Sequence, residues 1–121
     1  MSLHITPEMC EAMYGFLLTT PPFRSWYRQK KLPSSDEVAF HVIASKLIRG
    51  DHELTPEGET IIRISAGLVE TVSELHATMA HEMIHTYLAV ACPGDRAAHG
   101  WRFWRAASCV CRHHMLSEKA F

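Results

Sequence analysis

At 121 residues with 47% hydrophobic side chains, the chain has the size and apolar content of one compact domain that can bury its own core. A formal charge of −1 excludes a general pull toward polyanions, and Arg24, Arg28, Lys30 and Lys31 form the one tight basic cluster from which nucleic-acid contact could come. No run is long enough to cross a bilayer, and the start MSLHITPEM lacks a basic region followed by an apolar signal segment, so a cytoplasmic chain without membrane contact, with Cys10, Cys92, Cys109 and Cys111 as free thiols, is expected.

The first predicted helix covers residues 7–19, with Pro7 in its first turn and Met9, Met13, Phe16 and Leu17 at helical spacing. Pro21 and Pro22 stop it, and FRSWYRQKKL reads as a short helix before Pro33. The first half of VAFHVIASKLI, residues 38–48, reads as a strand, followed by turn signals at Gly50, Pro56 and Gly58 and a short strand around His52 to Leu54. TIIRIS, residues 60–65, is a second clear strand. Thr71 followed by Glu74 forms a capping-box pattern that starts a helix running to Ala91, where Cys92-Pro93-Gly94 ends it. A last helix covers Gly100 to Leu116. The order implies an α+β domain in which a small antiparallel sheet packs on helices.

The stretch ELHATMAHEMIHTYLAV carries His81, Glu82 and His85 as H-E-x-x-H. Residues four apart stack on one helical face, so His81 and His85 can converge on one ion, with Glu82 turned toward its open side. Leu75, Met79 and Met83 can anchor the adjoining surface in the core. Catalytic zinc takes three protein ligands and keeps one position open, so a third donor is needed. The chain has no glutamate from Met83 to Ser117, which leaves Asp95 and His99 as the near candidates and His113 and His114 as farther ones. The longer spacing H-E-x-x-H-x-x-G-x-x-H is absent. Cys109, Cys111, His113 and His114 would scatter around one helix rather than gather on a second ion. His4, His41, His52 and His76 read as surface or satisfied, partly buried histidines. Trp101, Phe103 and Trp104 read as packing for the last helix, with a cleft wall as their other use.

MAHEMIHTY followed by DRAAHGWRFW resembles the SprT-like family of zinc metalloproteases, which includes the Spartan proteases acting on DNA–protein crosslinks. The family pattern, H-E-M-x-H, a gap and then H-G-x-x-F, falls on His81, Glu82, Met83 and His85, then His99, Gly100 and Phe103. The resemblance covers residues 38–116 and implies a zincin-like minimal metalloprotease domain over residues 1–121, with H-E-x-x-H on a central helix. It implies Zn2+ held by His81, His85 and His99, and Glu82 as the catalytic carboxylate. The implied activity is zinc-dependent hydrolysis of peptide bonds in a protein or peptide substrate, with DNA-associated proteins among the candidates. A compact form without the four-cysteine zinc ribbon often found in the family is expected, and SKLIRGDHELTPEG departs from the family's glycine-plus-aromatic pattern. TIIRIS is expected as a sheet edge beside the cleft, where an extended peptide could pair. The competing reading is a zinc-stabilised DNA- or protein-binding module without catalysis, which a fourth protein ligand would favour.

Overall fold

The computed structural model describes residues 4–121, so Met1, Ser2 and Leu3 of the stretch read for a leader lie outside it. Thr6 accepts a hydrogen bond from the Met9 amide and Pro7 occupies the first turn, giving helix α1 over Pro7–Leu17. After the two prolines comes α2, Phe23–Arg28, and Ser34 caps a single 3-10 turn at Ser35–Glu37. Three strands follow: β1 at Val38–Ile43, β2 at Gly50–Leu54 and β3 at Thr60–Ser65. Helix α3 spans Val72–Ala91 and α4 spans Trp101–His114, with a final 3-10 turn at Glu118–Ala120.

The fold is α+β, but the sheet is not antiparallel as expected: its order is β1-β3-β2, with β1 parallel and β2 antiparallel to β3. TIIRIS is therefore the central strand and not an edge. The reason lies in side-chain character. Ile62 and Ile64 are fully buried on one face of β3, and its backbone pairs with a strand on each side. β1 and β2 carry His41, Asp51 and Glu53, whose polar side chains suit edge positions. Segment 44–49 passes from one edge to the other, and the turn at Thr55–Glu59, with Gly58 at φ +87°, then folds β3 back between them. On the outer face Arg63 pairs with Asp51 at 3.0 Å and with Glu53 at 2.6 Å.

The core lies between the inner sheet face and helices α1, α3 and α4. Cys10, Tyr14 and Leu17 come from α1, and Tyr14 donates its hydroxyl proton to the Pro33 carbonyl at 2.6 Å. Leu75, Met79 and Met83 of α3 are buried, as the helical spacing implied, and Phe103, Ala107 and Val110 come from α4. Thr71 caps α3 by accepting from the Glu74 amide at 3.0 Å, while the Glu74 carboxylate reaches back to the Glu70 amide at 3.2 Å. Met115 at φ 56° ends α4. All four cysteines are free, and burial pushes the Cys10 thiol up to about 11. No helix among the described residues is long and apolar enough to cross a membrane.

Gly50 fixes how closely β2 approaches α3. A Cβ at this position would lie 2.7 Å from the Arg63 carbonyl oxygen and 3.3 Å from Thr78 Cγ2. Backbone cannot yield as a flexible side-chain tip can. Gly50→Ala is expected to destabilise the fold by about 1–3 kcal/mol, read as a lower urea midpoint at unchanged slope.

Candidate metal centre

Helix α3 carries His81, Glu82 and His85 across the inner face of the sheet, with Glu82 only 5% exposed. The chain leaves α3 at Cys92 and is shaped by Asp95, which accepts from the Ala97 amide at 3.0 Å and pairs with Arg102 at 3.5 Å. That use occupies Asp95, the other near candidate for a third donor. The same loop delivers His99 immediately before Gly100, which caps α4.

The three imidazoles meet. Nε2 of His81 lies 3.2 Å from Nε2 of His99 and 3.3 Å from Nε2 of His85, and the His85–His99 separation is 3.2 Å. These three residues form a group able to hold a metal ion, whereas His113 is exposed and His114 is engaged elsewhere. His114 Nε2 donates to the Pro21 carbonyl at 2.9 Å, and its Nδ1 lies 3.1 Å from His76 Nε2.

The triangle fits a cation better than it fits a hydrogen-bond network. Each nitrogen is either a donor or an acceptor, so any assignment over three mutually close atoms leaves at least one like pair in contact. A tetrahedral zinc with Zn–N bonds of 2.0–2.1 Å separates its nitrogens by about 3.3 Å, close to the observed spacing. Burial lowers the pKa of His81, and burial with the neighbouring His81, His99 and His52 pushes His85 down to about 3. Both rings are neutral at pH 7, with lone pairs to offer. His81 Nδ1 donates to the Phe121 carbonyl at 2.8 Å, which fixes the tautomer and leaves Nε2 as the acceptor.

A model of the SprT-like family matches residues 22–118. The chain belongs to the SprT-like family. The match starts earlier than Val38, where the likeness of individual residues fades, and so takes in α2. No curated protein matches the chain.

In this SprT-like chain, Phe103 of H-G-x-x-F is fully buried and forms the floor of the triad. Its ring stacks on His85 at 4.7 Å and 23°, and lies 4.9 Å from His81 and 4.7 Å from His99. The expectation that Trp101 and Trp104 pack the helix is corrected, since they are 63% and 42% exposed. One helical face of α4 is already filled by Phe103, Ala107 and Val110, and the two indoles fall outside it. Tyr87 is also away from the centre, stacked on Trp26 at 3.9 Å.

Glu82 is held in its neutral form to unusually high pH. Burial, with the charge of Asp51 adding to it, pushes its carboxyl up to about 8. A cleft of about 360 Å3 opens over Glu82 and the three histidines, and β2 contributes Asp51 and His52 to its wall. A smaller cavity of about 160 Å3 also borders Glu82 and is lined in part by Ala120 and Phe121.

The sequence reading missed two contributors to the SprT-like site. His52 was read as a surface or satisfied histidine, yet its Nε2 is buried without a hydrogen-bond partner, the one such side-chain atom among the described residues. An unpaired buried polar atom costs about 1–3 kcal/mol, so its position needs a reason. The second is the segment ending in Phe121, which packs on His81 and accepts its proton. Deleting residues 117–121 is expected to weaken metal retention by about 10–100-fold, the usual cost of losing a partner that orients a ligand. Competition with a chromogenic chelator measures this, and an unchanged affinity would remove Phe121 from the centre.

Proposed function

We propose that residues 1–121 form a single zincin-like domain that acts as a zinc-dependent endopeptidase. The observation that carries this reading is the meeting of three imidazoles beside a buried carboxyl group, in a cleft walled by an edge strand. Three protein donors leave a four-coordinate ion with one open position, which favours the catalytic over the closed structural type of site. A bound zinc ion supplies Lewis acidity, polarising the scissile carbonyl and acidifying water.

The protein residues do the rest. In its ionised form Glu82 takes the proton of the attacking water and returns it to the leaving amine. Phe121 holds the His81 ring and Phe103 supports all three rings, so little reorganisation accompanies the reaction. The strand that pairs with an extended peptide is β2, whose outer edge is unpaired among the described residues and whose side chains line the cleft. Substitutions at Ile62 or Ile64 would therefore test the core and not peptide binding.

The test is elemental analysis joined to cleavage of an unfolded protein such as casein. One zinc per chain, with cleavage abolished by chelation and restored by zinc, is the expected result. A chain that holds no metal even when zinc is offered overturns the proposal.

DNA as a second partner is favoured by α4, whose outward side carries Trp101, Trp104, Arg105 and Arg112 with no acidic residue from 96 to 117. Arginines and stacking indoles together suit a single strand. Binding of a labelled oligonucleotide should weaken with salt and with Arg105→Glu, and no binding at low salt would remove this partner.

A further inference from the structure

The buried, unpartnered nitrogen of His52 is the strongest feature that the metal-and-carboxylate account leaves without a use. Strand alternation explains its direction. Asp51 and Glu53 turn to the outer face, where Arg63 pairs with both, while His52 sits opposite Ile62 and shares the inner face with it. That face looks onto α3, and His52 lines the same cleft as Glu82 and the metal-holding histidines. Gly50, two residues earlier on the same face, lets the strand come close enough to α3 for His52 to reach the cleft. Yet His52 is outside the group whose nitrogens lie within 4.8 Å of one another, so it is not placed as a fourth ligand.

We propose that His52 is a further catalytic residue, whose Nε2–H donates to the carbonyl oxygen of the scissile amide and holds the negative charge that forms there. This rests on the peptidase reading. As the water oxygen bonds to the carbonyl carbon, its proton passes to Glu82 and the C=O π pair moves onto the carbonyl oxygen. His52 donates to that oxygen. When the C–N bond breaks, the pair returns to re-form the C=O bond, and the proton on Glu82 goes to the amine nitrogen. A donor carried on the strand that walls the cleft is positioned before the charge develops, and preorganised donors of this kind stabilise it most strongly. The same argument explains why a buried nitrogen is kept without a protein partner. Its partner is the oxygen of the substrate.

His52→Leu removes the nitrogen at similar volume, and His52→Gln restores a donor. His52→Leu is expected to hold as much zinc as wild type and to melt no lower, because it replaces an unpaired polar atom with an apolar side chain. Its kcat should fall by about 10²–10³-fold with KM little changed, and His52→Gln should recover part of the loss. A dipeptide phosphinate, whose tetrahedral oxygens mimic the charged intermediate, should bind the zinc-loaded Leu variant more weakly by a similar factor in calorimetry. Equal kcat and equal phosphinate affinity in wild type and His52→Leu overturn the proposal. So does loss of zinc from His52→Leu, which would make the residue a ligand. Failure of the peptidase reading shows separately in wild type. If that protein holds zinc but cleaves nothing, the phosphinate affinities still decide whether His52 grips a charged oxygen. If it holds no zinc, both proposals fall.

Discussion

Glu82→Gln is expected to keep its zinc and lose about 10²–10⁴-fold in kcat, the range that a positioned proton carrier supplies. The glutamine has the same shape but cannot take a proton from water, while His81, His85 and His99 remain to hold the ion. Zinc content and single-turnover cleavage of casein, measured on the same sample, separate the two effects. Full activity in the variant would leave the ion as a structural element and favour the binding-module alternative.

The same substitution has a signature in the metal-free protein. The Glu82 carboxyl is raised from its usual 4.5 to about 8, first by burial and then by Asp51, so the folded chain binds this proton more tightly than the unfolded one. The stability it contributes is complete below about pH 4.5 and is lost as pH rises toward about 8. His85 acts in the opposite sense at lower pH. Its folded value near 3 means that its contribution is present above the usual 6.5 and lost as pH falls toward 3. Subtracting the two proteins isolates Glu82. The variant should gain on wild type by a few kcal/mol between pH 5 and 8, because each tenfold change in proton affinity is worth about 1.4 kcal/mol. Parallel stability curves over that range would show that the carboxyl is not buried as described.

His99→Ala should have the second large effect, on metal and not on the fold. His99 is exposed on the loop before α4, so its loss should change the stability of the metal-free chain by no more than about 0.5 kcal/mol. Zinc affinity should fall by more than the roughly 10–100-fold that a lost supporting hydrogen bond costs, because a direct donor is removed. Wild type should gain about 2.7 kcal/mol when free zinc is 100 times its Kd, and the variant should gain almost none at the same zinc concentration. Equal thermal shifts in the two proteins would exclude His99 as a donor.

The features legible from residue order are local ones. His81 and His85 share a helical face because they are four residues apart, and the Thr71 cap and Cys92-Pro93-Gly94 set the bounds of that helix from adjacent residues. TIIRIS read as a strand for the same reason, since its β-branched run needs no distant partner to be recognised. His99 was half legible. The residues left it level with Asp95, and only the likeness of HGWRF to the family pattern favoured it; the structure brings its Nε2 to the pair and gives Asp95 to Arg102.

Which strands are neighbours was settled by packing in three dimensions. Alternation tells which side chains share a face but not what lies beside the strand, so β1 beside a central β3, and β2 at the edge, could not be read from spacing. The same limit hid His52. In Asp51-His52-Glu53 the pattern shows one residue on one face and two on the other, but only pairing with Ile62 and contact with α3 make the histidine's face the inner one. Phe121 meets His81 across 40 positions of chain, and no local period encodes a contact at that distance. Backbone periodicity is set by neighbours in sequence. The cleft wall and the partner of the His81 ring are set by packing between elements.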